Sequence, residues 1–402
     1  MIVTETGRVT KVRGSKIRFL EIQDGKSVLV RQLVCDEDTK YFYRSETTAK
    51  EYDPTIFGRG CYITVEGQLQ DREVKRVGKG QKSQEILAKK IIGYGAIDAA
   101  SDPIVPGVSL HTLRKIPHLR QRDPRLAAVF RVRHEIEMVI HMFMDHGWKR
   151  KIYIARTPIL TAADCEGAGE TFLVKYSKEF FKTKEEVALT VSGQLDGEAS
   201  ALALGDIYTF GPTFRAEHSE TSRHLAEFWM VEPELTYIDF AELQQFTIDF
   251  IQYIIKSVLT TSSADLKYLQ AHGEDDDLLA KLHKCAETPA KIITYREALT
   301  TLVEHLGYPP EEITFGIDLE SEMEKALVHY YGGGMLMVTH YPEALKSFYM
   351  SPSAEEPKCV EAMDLLAPGI GEIIGGSMRE YDHDRLQAKM ERLDIDIPTY
   401  LD

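Results

Sequence analysis

Residues 210–235 read FGPTFRAEHSETSRHLAEFWMVEPEL, a stretch in which strand-forming aromatics alternate with two arginines, two histidines and five glutamates. A strand turns successive side chains to opposite faces, so residues two apart share a face. Arg215 and Glu217 therefore point one way in TFRAE, as Glu232 and Glu234 do in WMVEPEL, leaving Phe210, Phe214, Leu235 and Tyr237 for the other side. With SETS as the connection, the two strands pair antiparallel, and one face of the hairpin carries an arginine and three carboxylates. An exposed salt-bridged surface would give the same charges. The flanking residues, however, are too apolar for a ribbon in water, and a charged floor within apolar walls suits a charged ligand. Arg215, Arg223 and His224 can neutralise phosphates. Neither GxxxxGK[ST] nor GxGxxG follows a strand to do so through backbone amides, so side chains on antiparallel strands are expected to hold a nucleotide.

Upstream, the segments TGRVTKV, KIRFLEIQDG, SVLVRQLVCD, CYITVEGQLQ and EILAKKIIG read as five strands separated by turn residues, a spacing that suits a small closed barrel of the kind that binds oligonucleotides. Arg13, Phe19 and Gln32 supply a cation, an aromatic and an amide in its early strands, able to stack on and hydrogen-bond to splayed bases. A core Phe with surface Arg and Gln fits the same pattern. From Arg72 to Lys90 there are seven basic residues and two acidic ones, either a solvated hairpin or a contact for a polyanion. Residues 96–125 are Pro-rich and basic and read as a hinge, giving an organisation of 1–95, a 96–125 hinge, and 126–402. Val129, Val132, Ile136, Val139, Ile140 and Phe143 recur at helical spacing. A helical pattern fills about 241–284, interrupted by HGEDDD, and another helix covers roughly 294–306, with strands in GGGMLMVTHYP and CVEAMDLLAPGIGEIIGGSMRE.

The 402 residues are 43% hydrophobic, enough for two or three domains with buried cores, and the net charge is −15. That balance by itself opposes a nucleic-acid partner, which leaves the basic island as the local exception. The five cysteines, Cys35, Cys61, Cys165, Cys285 and Cys359, are widely spaced and form no CxxC, which argues against a disulfide framework and a zinc site. The first residues have no apolar leader, and no run approaches the roughly 18 apolar residues of a membrane helix. A cytoplasmic protein without a membrane partner is expected.

The hairpin stretch resembles motif 2 of the class II aminoacyl-tRNA synthetases, in the aspartyl, asparaginyl and lysyl subclass. The resemblance extends to RTPILTAADCEGAGETF, to LTVSGQLDGEASALALGDIYTFGPTF, to APGIGEIIGGSMRE and to the N-terminal barrel, nearly the whole chain. DCEGAGE, SGQL and GEIIGGSMRE resemble the asparaginyl enzymes, where aspartyl enzymes more typically show EGGTE, SPQL and EISSGSQR. The resemblance implies an α+β chain: an OB-fold anticodon-binding barrel, then a class II catalytic domain of antiparallel sheet flanked by helices. It implies an ATP-dependent, AMP-forming asparagine–tRNA ligase, with ATP and Mg²⁺ as cofactors, tRNA(Asn) and asparagine as partners, and a homodimer.

Residue by residue, Arg215 resembles the arginine that bridges the ATP α-phosphate and the amino-acid carboxylate, and Glu217 the glutamate on adenine. Arg223 and His224 fall where the family grips the outer phosphates of bent ATP, with Leu225 completing that stretch. Glu372 matches a Mg²⁺-binding carboxylate. Glu166 and Gln194 sit where the family captures the substrate ammonium, Arg379 matches the reader of the side-chain carbonyl, and Glu232 is the candidate reader of the amide NH₂. Arg13, Phe19 and Gln32 match the family's anticodon-binding positions, with the basic loop at 75–82 as a backbone contact. Adenylation needs no side-chain acid or base, because the substrate carboxylate is already a nucleophile and positioning with charge neutralisation carries the step.

The sequence departs from the family in two places. The family's third motif resembles GxGxGxxR, which occurs nowhere here, and the chain reads LDIDIPTYLD where the family would continue toward it. Two expectations follow: a polypeptide shortened relative to a complete enzyme, or a catalytically silent tRNA-binding paralogue. The rival within enzymes is an aspartyl or non-discriminating synthetase. The second departure is HGWKRKIYIARTPI, where residues are added within the segment resembling the dimer-forming motif 1.

Overall fold

The structure, a computed structural model, describes residues 1–44, 57–72, 83–95, 102–105, 107–162, 171–176, 186–216 and 225–395, with Thr55 and Phe180. The chain forms two compact units, Met1–Glu135 with Val258–Leu279, and Ile136–Ser257 with Ala280–Asp402.

In the first unit, six strands are present among the described residues: β1 (Ile2–Arg13), β2 (Arg18–Gln23), β3 (Arg31–Cys35), β4 (Lys40–Tyr43), β5 (Tyr62–Arg72) and β6 (Ser83–Tyr94). They run in the order β3-β2-β1-β5-β6, and β3 closes onto β6 in parallel register, Gln32 opposite Glu85 and Leu33 opposite Ile86. The result is a five-stranded closed barrel, with β4 added in parallel alongside β6. All five strands expected from the sequence are present; β4 was not anticipated. β3 covers β6 at Glu85–Leu87 and β4 covers it at Lys90–Gly93, and the alternation places Leu20, Leu33, Ile63, Ile86 and Ile91 inside, fully buried. Each such side chain contributes about 1.5–3 kcal/mol of apolar burial.

The segment expected to be a hinge contains a short helix, α1 (Leu110–Arg114), whose first turn is capped by the Ser109 hydroxyl accepting from the Thr112 amide at 3.1 Å. Ile104, Val108 and Leu113 form a small core beside it. Helix α2 (Pro124–Met142) follows and ends in a π turn, Phe143–Gly147.

The second unit holds β7 (Tyr153–Ala155), a short pair β8 (Leu160–Thr161) and β9 (Ala188–Leu189), helix α3 (Gln194–Leu204), and the strands β10 (Ile207–Phe214) and β11 (Glu227–Glu234). Helix α4 (Phe240–Thr261) follows and its last residues pass into the first unit, which holds α5 (Ser263–His272); α6 (Leu278–Glu287) leads back to the second unit, with the HGEDDD acids in the turn before it as expected. Next come β12 (Lys291–Thr294), α7 (Tyr295–Glu304), α8 (Ser321–Tyr330), β13 (Leu336–Thr339), β14 (Ala362–Ala367), β15 (Gly371–Ser377) and α9 (His383–Arg392). Besides the β8–β9 pair, the described strands of this unit form two larger sheets, β11-β10-β7 and β12-β13-β14-β15. Their pairings are antiparallel except β10–β7 and β12–β13.

Helix α4 serves both sheets, because its apolar residues recur every three or four positions over several turns. Phe246, Phe250 and Ile254 join Tyr208 and Phe210 in one core, Phe240 and Ile248 join Met337, Met363 and Leu365 in another, and Ile251 with Ile374 of β15 packs in both. The mixed α+β architecture read from the sequence is therefore the one observed. Among the described residues no helix is long and apolar enough to cross a membrane.

Candidate active site

The hairpin β10–β11 pairs Ile207 with Glu234, Thr209 with Glu232, Gly211 with Met230 and Thr213 with Phe228. One residue beyond, the Arg215 amide donates to the Ala226 carbonyl at 3.2 Å, and the guanidinium lies over the Phe228 ring, 5.7 Å from its centre. By alternation Arg215, Glu232 and Glu234 share one face, as the sequence pattern required. Tyr208, Phe210 and Val231 turn to the opposite face and pack in the core with α4. Tyr237 does not join them as expected: it sits in a turn at φ 54°, 98% exposed.

Asp206 anchors the base of the hairpin. One of its oxygens accepts from the Thr236 amide at 2.7 Å and the Thr236 hydroxyl at 3.1 Å, and the other meets Arg150 Nε at 2.9 Å. Arg150 also donates to the Thr236 carbonyl, at 3.0 Å. The segment that departs from the family is thus tied to the hairpin through Arg150.

Glu232 has an internal set of partners. Its carboxylate accepts from the Ser192 hydroxyl, from the Gly193 amide at 3.0 and 3.2 Å, and from the Thr209 hydroxyl at 2.7 Å. Position 193 must be glycine for this to form: a Cβ there would lie 2.7 Å from Thr157 Oγ1 and 3.1 Å from both Glu232 Oε2 and Thr209 Oγ1. The turn so held opens α3, and Gln194 is its first residue. Gly197, one turn on, brings α3 close to the Arg215-bearing face, where an added Cβ would sit 3.4 Å from Thr209 and 3.6 Å from Glu234.

Gln194 is buried and both ends of its amide are used. Its Nε2 donates to Glu198 Oε1 at 2.8 Å, and its Oε1 accepts from the Tyr349 hydroxyl at 3.0 Å. Arg379, just after β15, enters the same cluster: Nε donates to Glu198 Oε1 at 2.8 Å, Nη1 to Ser377 Oγ at 2.6 Å and Nη2 to Glu234 Oε1 at 3.4 Å. Its guanidinium lies 5.0 Å from the Tyr349 ring centre. Burial drives the Glu234 carboxyl up to about 7; Arg379 opposes that rise, and the neighbouring Glu198 and Glu232 carboxylates add to it.

Nearby in this unit is a polar cavity of about 490 Å³ lined by Asp318, Glu324, Tyr341, Lys346, Asp364 and Glu372 among others. Asp364 and Glu372 lie on neighbouring strands β14 and β15 and both approach Gly375, where a Cβ would be 2.9 Å from Glu372 Oε1 and 3.2 Å from Asp364 Oδ1. Lys346 Nζ meets Asp364 Oδ2 at 2.8 Å and lies 4.0 Å from the Tyr341 ring centre. Glu372 keeps an open surface, yet protein crowds its carboxyl: lost hydration, then Asp364, pushes it up to about 7. Burial, then Asp364, likewise raises the Tyr341 hydroxyl well above the ordinary phenol range. Carboxylates outnumber cations here, which suits a hard cation bound together with phosphate. Among the described residues no three His, Cys, Asp or Glu side chains form a cation cage of their own.

On the barrel, Arg13 pairs with Phe19 and Glu21 with Gln32 in the ladder, so Arg13, Phe19 and Gln32 share a face. Arg13 Nη2 lies 2.6 Å from Glu21 Oε1 and 3.3 Å from Gln32 Oε1, and Gln32 Nε2 donates to Glu85 Oε2 at 2.7 Å. Cation, aromatic and amide are thus brought together on the first unit.

The structure places Gln194, Arg215, Glu232, Glu372 and Arg379 in the second unit, and brings Gln194 and Arg379 into one network through Glu198. Leu225 is exposed, two residues before β11. Glu166, Glu217, Arg223, His224 and the basic loop at 75–82 lie outside the described residues. Sequence reasoning placed Glu234 on the charged face of the hairpin without giving it a role, and missed Glu198, Tyr349, Lys346 and Asp364. Two had a legible signal: Glu198 follows Gln194 by four residues on one helix, and Asp364 is a lone charge in AMDLLA, a strand buried along its length.

Comparison with known proteins agrees with this geometry. Residues 109–400 match the family described as tRNA synthetases class II (D, K and N). An asparagine–tRNA ligase of Parabacteroides distasonis is 39% identical over 100% of this chain and 86% of its own length, and one of Porphyromonas gingivalis 38% identical over 98% and 85%. The crystal structure of asparaginyl-tRNA synthetase from Pyrococcus horikoshii complexed with asparaginyl-adenylate superposes with a TM-score of 0.81 at 29% identity, covering 99% of this chain and 85% of that one. With its hairpin arginine, its Gly193 turn and its barrel, the chain belongs to the class II tRNA synthetases of the D, K and N group.

Proposed function

We propose that the chain activates asparagine with ATP, forming asparaginyl-adenylate and pyrophosphate, and transfers the asparaginyl group to the 3′ end of tRNA(Asn). The observation that carries this reading is the network around Arg379, a guanidinium held beside Gln194 by Glu198, Glu234 and Ser377. Such a guanidinium offers remaining N–H donors to a side-chain carbonyl in a fixed orientation. Arg215, fixed by the hairpin and by Phe228, meets the charge that builds up as the substrate carboxylate attacks the α-phosphorus and pyrophosphate leaves. Glu166 and Gln194 receive the ammonium, and Glu232, expected to read the amide NH₂, instead spends its carboxylate on Ser192, Gly193 and Thr209 and so holds the turn that presents Gln194. Glu217, Arg223, His224 and Leu225 hold ATP.

Mg²⁺ would be held by Glu372 with Asp364, whose convergence over Gly375 and excess of negative charge fit a hard cation. When bound, it supplies charge neutralisation on the phosphates. Residues 1–95 read the anticodon through Arg13, Phe19 and Gln32, with 96–125 as the link to a catalytic region at 126–402. A homodimer is supported by apolar side chains exposed on the second unit, Met138, Met142, Tyr153 and Ile154. A cytoplasmic setting is supported by Cys35, Cys61, Cys285 and Cys359, all buried free thiols.

ATP–pyrophosphate exchange with asparagine and with aspartate tests the reading. Asparagine-dependent exchange is expected. Exchange with aspartate alone, or with neither amino acid, would overturn it.

A further inference from the structure

Glu198 hydrogen-bonds to both Gln194 and Arg379 through a single oxygen, at 2.8 Å to each, beside Tyr349, whose hydroxyl meets Gln194 and whose ring lies against Arg379. The contact follows from helical geometry, since residues four apart on α3 lie on one face. Glu234 approaches the same guanidinium from β11, at 3.4 Å. Arg379 is therefore flanked by two carboxylates, and the charge of the cluster is −1 when both are ionised. Burial first, then the nearby Glu198 and Glu232 carboxylates, raise the Glu234 carboxyl to about 7 against the pull of Arg379.

We infer that Glu198 is a specificity-determining and positioning residue, which with Glu234 over-neutralises Arg379 so that the site accepts a neutral amide side chain and rejects a carboxylate. An amide carbonyl takes a hydrogen bond from the remaining Arg379 N–H groups without adding charge. A carboxylate of almost the same shape brings a further negative charge into a cluster already holding one in excess, and like charges that close disfavour binding. The shared oxygen has a second consequence: it sets the Arg379 fork and the Gln194 amide relative to each other, so the backbone end and the side-chain end of the substrate are registered by one group. This inference rests on the assignment of the Gln194–Arg379 network as the amino-acid site.

The test is Glu198→Gln, which keeps a carbonyl oxygen for both donors and removes the charge. Pyrophosphate exchange is measured for the wild type and the variant with asparagine and with aspartate, together with the melting temperature of each. The expected result is a tenfold or greater fall in the asparagine-to-aspartate ratio of kcat/KM, with the aspartate value rising in absolute terms. Glu198→Ala, which removes the shared oxygen as well as the charge, should raise KM for both amino acids. An unchanged ratio in a folded Glu198→Gln protein overturns the inference and leaves the functional assignment standing. A wild type that fails to prefer asparagine overturns the assignment and the inference with it. Glu234→Gln removes the other flanking charge and carries the same test if the first variant does not fold.

Discussion

Changing Glu232 to glutamine replaces one carboxylate oxygen by an NH₂ in a place where every neighbour donates. The Ser192 and Thr209 hydroxyls and the Gly193 amide all point their hydrogens at the carboxylate, and the amide is shared between its two oxygens. A hydroxyl can turn to accept instead; the Gly193 N–H cannot. The variant therefore loses the charge that strengthened three hydrogen bonds and sets one donor against another. Hydrogen bonds to charged groups are worth about 1.5–3 kcal/mol against about 0.5–1.5 for neutral ones, so the net loss is about 1.5–3 kcal/mol. If that loss falls on the turn that presents Gln194, kcat/KM for asparagine drops about 10- to 100-fold, at roughly tenfold per 1.4 kcal/mol. If it falls on the fold as a whole, the melting temperature drops by about 2–4 °C per kcal/mol for a unit of this size. Pyrophosphate exchange and a thermal melt on the same preparation separate the two. A variant within twofold of wild type by exchange and within a degree by melting would refute the claim that this carboxylate holds the turn.

Three other outcomes follow from the geometry. Because the Glu234 carboxyl is raised from 4.5 to about 7, the folded protein binds its proton more tightly than the unfolded chain, so stability is fully present below about pH 4.5 and declines as pH rises through 7. The slope integrates to at most about 3 kcal/mol and should flatten in Glu234→Gln, as urea titrations between pH 5 and 8.5 would reveal. Asp206→Ala leaves Arg150 and the Thr236 amide without their buried acceptor and should destabilise the second unit by about 3 kcal/mol in urea; a change under 1 kcal/mol would count against it. Phe19→Ala should weaken tRNA binding by about 1–3 kcal/mol with the salt slope unchanged, while Arg13→Ala should reduce the slope by about one unit; filter binding over a salt series distinguishes them.

The five barrel strands and the two faces of the hairpin were legible because period-two alternation and turn residues are local signals. Helix α3 was not marked as a helix, since QLDGEASALAL carries two exposed leucines, Leu202 and Leu204, and no clean apolar stripe. Strand β4 is only four residues long and exists because β6 offers it an edge. In the site, Arg215 and Glu232 announced themselves within one hairpin. Tyr349 meets Gln194 across 155 positions and Arg379 meets Glu198 across 181, distances over which spacing rules are silent. Such contacts depend on how α3, β11 and β15 come together, and periodicity within one element carries nothing of that.

Helix α4 contributes Ile251 to both cores of the second unit, and Ile374 of β15 reaches the same two. Neither sheet can then open without stripping a face from the helix that the other still holds. The two sheets should lose their amide protection as one cooperative group, with α4 the last element to exchange its hydrogens. Slow exchange would thus mark a helix that touches no substrate, and the free energy of its opening would be that of the unit as a whole.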